Sequence, residues 1–272
     1  MSETVRHPAV AGRFYPSKTE VLEAEVKTYL SQTRQPRPAL GCVVPHAGYM
    51  YSGHVAGAVY AALKVDIPKQ CIVLGPNHTG MGLPLAIMSE GVWETPIGNL
   101  SLDSDLAASL KKAFPLLQED ADAHRAEHAI EVQLPFLHTL RPDISFVPIT
   151  LGTARFDILS TLGLALAEVI GQQKEPVLML ASSDMNHYEN DVITRVKDQK
   201  AIDCILALDA RGLFDVVTRE DISMCGFGPT VAMITAAKQL GAHSAELIKY
   251  ATSGDVSGDR NLVVGYAGIV VQ

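Results

Sequence analysis

Apolar residues along this chain follow two spacings. Short, nearly continuous apolar runs at 40–45, 71–75, 85–89, 146–151, 177–181, 247–250 and 262–271 read as strands. Between them, apolar positions recur every three or four residues over 53–64, 104–114, 127–140, 156–170, 197–208 and 228–240, which predicts helices. Another helix is expected after Ser17, where Val21, Leu22, Val26, Tyr29 and Leu30 share one face and Ser17 with Glu20 forms a capping box. Strands alternating with helices of this length predict an α/β fold: a central, mostly buried β-sheet with helices on both faces. The runs CIVLG (71–75) and VLMLAS (177–182) lack polar alternation, as strands buried on both faces do.

Length and composition narrow the class. With 272 residues, 47% of them hydrophobic and 19% charged, the chain can bury a large core. No repeat or long linker divides it; Pro36-Arg37-Pro38 reads as a short hinge, so one domain over 1–272 is expected. No window approaches the roughly 20 apolar residues of a membrane span, and MSETVRHPAVAGRFYP lacks the basic-then-apolar order of a signal peptide. A cytoplasmic protein without a membrane partner is expected. Lys and Arg number 22 against 30 Asp and Glu, a net charge of −8 with no basic run, which argues against nucleic acid as a partner. The four cysteines form no C-x-x-C pair and are expected to be reduced thiols. Cys42, Cys71 and Cys204 sit in apolar runs and read as core; Cys225, in SMCGFGPT, does not.

The histidines carry more information. His46 follows GCVVP, His78 follows CIVLGPN and His187 follows VLMLASSDMN, so each comes just after a strand-like run. In open α/β sheets ligands bind in the crevice beyond the carboxyl ends of the strands, so these imidazoles point to one shared site rather than three separate loop caps. Imidazole suits zinc, copper, iron and nickel, and a metal needs three or four ligands in all. Cys225 is a candidate to complete the set: Gly226, Gly228 and Pro229 surround it, and a helix start lowers a thiol pKa toward the metal-binding thiolate. Asp184, in SSDMNH, is another.

A rival motif is present. His124-Arg125-Ala126-Glu127-His128 matches H-x-x-E-H, the zinc signature of inverted-motif metallopeptidases. The acidic stretch 118–123 before it reads as an exposed loop, which leaves His124 in solvent and only His128 pointing inward. Without its confirming context the motif is weak. There is no G-x-S-x-G elbow, Walker loop or G-x-G-x-x-G after the first strand.

AGRFYP (11–16), PHAGYMYSG (45–53), GPNH (75–78), EHAIEVQLPFL (127–137), SSDMNH (182–187), CGFGP (225–229) and YATSGDVSGDR (250–260) occur in that order. Together, over nearly the whole chain, they closely resemble the Memo family, called AmmeMemoRadiSam system protein B in bacteria and archaea. That family is similar to the LigB-like class III extradiol dioxygenases, α/β proteins with a non-haem iron site at one edge of the sheet. The resemblance implies that His46 and His78 are metal ligands and Cys225 the third, where the dioxygenases have a glutamate. A thiolate is softer and favours copper(I) or iron(II) over magnesium or calcium, with zinc also compatible. His187 matches the dioxygenases' catalytic acid/base histidine, and Asp184 beside it could orient or tune it. His128 and Glu131 belong to a family motif, usually E-H-S-x-E, to which no role is attached; here Ala129 replaces the serine. His124 lies outside the family pattern, which weakens the peptidase reading further.

The expected function is therefore a metal-binding (non-haem iron or copper) redox protein with a dioxygenase-like site for a small-molecule or peptide ligand. The bacterial family name implies action with a radical SAM enzyme and an AMMECR-type protein. Cys225 counts against ring cleavage, because it places an oxidisable ligand in an oxygen-using site. The alternative is a non-catalytic adaptor that holds a peptide or ligand in the same crevice. Tyr49 and Tyr51 are expected to line the pocket, with ordinary packing the competing reading.

Overall fold

Within the strand Val177–Ser182, successive side chains enter opposite cores: Val177, Met179 and Ala181 join one apolar cluster, Leu178 and Leu180 the other. The strand Gln70–Pro76 does the same, with Ile72 and Leu74 on one side and Cys71 and Val73 on the other. This period-2 division explains the missing polar alternation, because both faces are dry. The structure, a computed structural model, describes residues 4–32, 38–63 and 67–272. Residues 1–3 of the N-terminal segment, Pro36 and Arg37 of the expected hinge, and Lys64 lie outside the described residues.

In chain order the strands are β1 (Val5–Arg6), β2 (Gly41–Val44), β3 (Gln70–Pro76), β4 (Leu85–Ile87), β5 (Val92–Thr95) and β6 (Gly98–Leu102). They continue as β7 (Gln118–Glu119), β8 (Ser145–Leu151), β9 (Val177–Ser182), β10 (His187–Glu189), β11 (Ala245–Thr252) and β12 (Val263–Val271). The helices are α1 (Thr19–Leu30), α2 (Tyr49–Leu63), α3 (Ser104–Ala113), α4 (Asp122–Arg125) and α5 (Leu134–Leu140). After them come α6 (Phe156–Gly171), α7 (Asp191–Leu206), α8 (Ala210–Arg219), α9 (Phe227–Gln239) and α10 (Gly254–Ser257).

The sheet is mixed and runs β1-β5-β6-β8-β3-β9-β2-β12-β10. Its centre, from β6 through β8, β3 and β9 to β2, is parallel, and β12 joins β2 antiparallel. Apolar faces of α1, α2 and α5 cover one side; those of α3, α6 and α9 cover the other. The α/β architecture expected from the pattern is the one observed, and each of the seven expected strands is present. No helix among the described residues is long and apolar enough to cross a membrane.

Some local expectations fail for physical reasons. The helix expected over 127–140 is broken: residues 131–133 form a 3-10 turn, and α5 starts only at Leu134. The Glu127 carboxylate accepts the backbone N–H groups of His128 and Ala129, which bends the chain around that side chain. Pro135 then sits in the first turn of α5, where its missing N–H costs nothing. The capping box does not form; Lys18 occupies the cap position, and α1 starts with no side-chain cap. Helix α2 begins at Tyr49, earlier than its apolar stripe suggests, and α7 begins after Asn190, whose side chain accepts from the Ile193 N–H. Helix α8 and the β5–β6 hairpin were not apparent from the pattern.

Candidate metal centre

Strands β3, β9 and β2 lie side by side and run in the same direction, so their carboxyl ends open on one edge. His78 follows β3, Asp184 follows β9 and His46 follows β2, each by a short turn. The topology thus gathers residues that are far apart in sequence. They meet around a cavity of about 340 Å³ whose walls include Phe14, His46, His78, His128, Asp184 and His187.

His46 is buried, with 1% of its surface exposed. Its Nδ1 lies 2.9 Å from the Ser182 hydroxyl, which itself donates to the Ala129 carbonyl at 2.6 Å. With its only proton committed there, Ser182 must accept from His46 Nδ1–H, and it also accepts from the Gln133 amide at 2.9 Å. His46 Nε2 therefore carries the lone pair. Burial, then the nearby His78, holds the His46 pKa well below the ordinary histidine value, which keeps that lone pair unprotonated.

His78 is held differently. Glu127 accepts from its backbone N–H at 2.6 Å and stands 2.9 Å from its Nδ1. Burial pushes Glu127 up, but the hydrogen bond and charge of His78, the Ala129 N–H and His128 together hold it down at about 2. An ionised carboxylate can only accept, so the proton of this pair sits on His78 Nδ1, and in the neutral ring Nε2 bears the lone pair.

His128 stacks on His78 with ring centres 4.6 Å apart and planes 18° apart, and Phe14 packs on it at 4.5 Å. Burial, then His46, lowers its pKa to about 4. The ring of His46 stands across both others, at 80° to His78 and 85° to His128. Each of these three imidazoles offers a nitrogen within 4.8 Å of the other two, a group that could hold a metal ion.

Cys225 approaches from the other side: its Sγ is 3.1 Å from His46 Nε2. Gly226 makes this possible, since a Cβ there would run into the Ser182 carbonyl and the Ser183 side chain. The lowered thiol pKa expected from the helix start is not found. Burial, then the Asp184 carboxylate, pushes the Cys225 thiol up. Only a cation at this place would favour the thiolate, as a metal ion does. The His46 imidazole and the Cys225 thiol lie side by side, and nitrogen with sulfur is a donor pair that fits a borderline or soft metal.

Asp184 accepts the backbone N–H groups of His46 at 2.8 Å and Ala47 at 3.3 Å, and burial raises its pKa. His187 lines the same cavity, and its Nδ1 donates to the Ser223 carbonyl at 2.7 Å, leaving Nε2 as an acceptor. Ser223, which nothing in the sequence singled out, therefore orients His187. Tyr188 beside it is 73% exposed and holds a left-handed backbone, φ 60°, uncommon for a bulky side chain.

Three expectations need correction. His124 is not in solvent; it is fully buried, with Nδ1 3.0 Å from the Thr150 hydroxyl and its ring edge-on to Trp93. Among the described residues it joins no group that could hold a metal ion, so H-x-x-E-H does not form a site. Tyr49 is a core anchor rather than a pocket wall: its hydroxyl donates to the Val132 carbonyl, and its ring packs among Tyr15, Tyr29 and Phe136. Tyr51 packs instead beside Val55, Ala251 and Tyr266. Glu131, whose role was open, is a buried structural carboxylate. It accepts from Arg6, the Tyr15 hydroxyl and the backbone N–H groups of Ala9 and Val10, which fixes the N-terminal arm that carries Phe14.

Comparison with known proteins agrees with this architecture. A crystal structure of an uncharacterized protein from Escherichia coli K12 superposes with a TM-score of 0.54 at 10% identity, covering 86% of this chain and 100% of that one, a likeness of fold alone. MEMO1 family proteins from Pyrobaculum arsenaticum, Methanopyrus kandleri and Methanosarcina mazei are 44%, 42% and 43% identical. Each alignment covers 98% of this chain and at least 98% of the relative. The family model for Memo-like proteins matches residues 6–270, and the chain therefore belongs to the Memo family.

Proposed function

We propose that this protein is a metal-dependent redox protein in which His46, His78 and Cys225 hold iron or copper and His187 acts as general acid/base. The observation that carries this reading is the set of ring planes. An imidazole binds a metal in its own plane, along the nitrogen lone pair. His78 and His128 are stacked nearly parallel, so an ion in the plane of one lies well outside the plane of the other. His46 stands across both, so one of the stacked rings would have to turn before all three imidazoles noted above could share an ion. Cys225, 3.1 Å from His46 Nε2, is the third donor of this reading. A thiolate with two imidazoles suits copper(I) or iron(II), and the same set accepts zinc.

When bound, such a metal supplies a redox couple and an open coordination position for substrate. The chain's own residues do the rest. Ser182 and Glu127 fix which nitrogen of each imidazole faces the cavity. His187, oriented by Ser223, can take up or return a proton at a small-molecule or peptide ligand through Nε2. Asp184 holds the turn at His46 and Ala47 in place. We also propose, on the bacterial family name alone, a setting alongside a radical SAM enzyme and an AMMECR-type protein, in the cytoplasm.

The test is a spectrum. Cobalt(II) added to metal-free protein should give a near-ultraviolet thiolate charge-transfer band that Cys225→Ser abolishes. Cobalt binding with no such band in the wild type would remove Cys225 from the ligand set.

A further inference from the structure

The two imidazoles assigned to the metal are steadied by one short turn. Glu127 Oε1 accepts from His78 Nδ1 at 2.9 Å, from the His128 N–H at 2.9 Å and from the Ala129 N–H at 3.0 Å, while Oε2 takes the His78 N–H at 2.6 Å. The same Ala129 accepts, through its carbonyl, the hydroxyl proton of Ser182 at 2.6 Å. That bond makes Ser182 the acceptor for His46 Nδ1. A continuous path thus runs from His78 through Glu127 and Ala129 to Ser182 and His46. Every member but His78 is buried, and the His78 side chain is 32% exposed.

We propose that Glu127 is the positioning residue of the metal centre and that it aims His78 directly and His46 through the Ala129 carbonyl and Ser182. This inference rests on the metal-binding reading above. Its physical content is that a free imidazole offers two tautomers and a rotating ring, only one arrangement of which presents Nε2 to the cavity. A carboxylate opposite Nδ1 selects that arrangement and makes the ligand more basic. Glu127 does so for His78. For His46 the selection falls to Ser182, whose proton has a fixed destination only while Ala129 stays where Glu127 holds it. Ala129 acts here through its backbone, so a serine side chain at that position is not needed for the link. Gly75, next to last in β3, belongs to the same device: a Cβ there would crowd the Ile130 and Ala129 side chains.

A merely structural Glu127 would stabilise the loop and leave metal affinity alone. The two roles separate in a double-mutant cycle with cobalt(II) as the probe. Glu127→Gln and Ser182→Ala should each weaken cobalt(II) binding by about 10–100-fold. Because Glu127 reaches His46 through the same Ala129–Ser182 link, the double variant should be weaker than either by less than the product of the two factors. Melting temperature and circular dichroism, read beside it, report the structural part. The wild type offers a second measurement that needs no variant. In the cobalt(II) protein, proton NMR should show two hyperfine-shifted N–H signals, from His46 Nδ1–H and His78 Nδ1–H, both protected from solvent exchange.

Affinity within threefold of wild type in folded Glu127→Gln, strictly multiplicative effects in the cycle, or no protected N–H signals would each overturn the proposal. Wild-type protein that binds no cobalt(II) would instead remove the metal-site reading beneath it.

Discussion

His46 and His78 present their Nε2 atoms for different local reasons, a hydroxyl in one case and a carboxylate in the other. His187 uses a third device, the Ser223 backbone carbonyl, which touches neither His46 nor His78 in the contacts given above. This separates its role from theirs. His187→Ala should retain the metal while abolishing whatever turnover the loaded protein shows, with elemental content and rate measured on one preparation. Loss of the metal as well would reassign His187 as a ligand. The positions of these three histidines were legible in the sequence because each follows a dry strand pattern, and a polar ring just past such a run has few structural reasons to be there. Glu127, Ser182 and Ser223 were not legible. Their work is done on groups far away in sequence, or on backbone atoms, and neither leaves a pattern. His124 misled for the opposite reason: acidic neighbours in the chain suggested exposure, yet its own side chain goes inward against Trp93 and Thr150.

At the scale of elements, the N-terminal arm is the least expected feature. Residues 6–15 are tied down by Glu131, which pairs with Arg6 at 2.6 Å and accepts from Ala9, Val10 and Tyr15. Both charges are buried, so removing one strands the other. Glu131→Ala should destabilise the protein by about 3–5 kcal/mol. Hydrogen exchange should accelerate at the Ala9 and Val10 amides more than in β9; unchanged exchange there would show that Glu131 does not hold the arm. Because Phe14 rides on this arm and packs against His128, the same variant should also loosen one wall of the cavity. The strands and most helices could be read from apolar spacing, since dry faces dictate it. The break at 127–133 could not, because a side-chain carboxylate competing for backbone N–H groups overrides an amphipathic pattern.

For the whole molecule, two buried groups away from the metal centre give stability opposite slopes with pH. Burial, then the Arg6 charge, lowers His124 from 6.5 to about 4. Between those values the unfolded chain takes up a proton that the native state refuses, so stability falls as pH falls, by about 3 kcal/mol in all. Asp198 behaves in reverse. Burial raises it from 3.8 to about 7 even though Tyr250 and the Asn186 N–H donate to it. From pH 4 to 7 the native state keeps a proton that the unfolded chain releases, so stability falls as pH rises. His46 and His128, held down by burial, add to the His124 slope, and Asp184, held up by burial, adds to that of Asp198. Asp198→Asn should therefore make midpoints rise more steeply from pH 4.5 to 6.5 than they do in the wild type; equal slopes in the two proteins would contradict the burial argument.

The claim that matters most is that these strand ends build a metal centre with Cys225 in it. Elemental analysis of protein purified without oxygen or chelators, wild type beside Cys225→Ser, tests it most directly. Near-stoichiometric iron or copper in the wild type and a sharp loss in a folded Cys225→Ser is the expected result. Equal metal in both would take Cys225 out of the site, and no metal in either would contradict the metal centre and favour the adaptor.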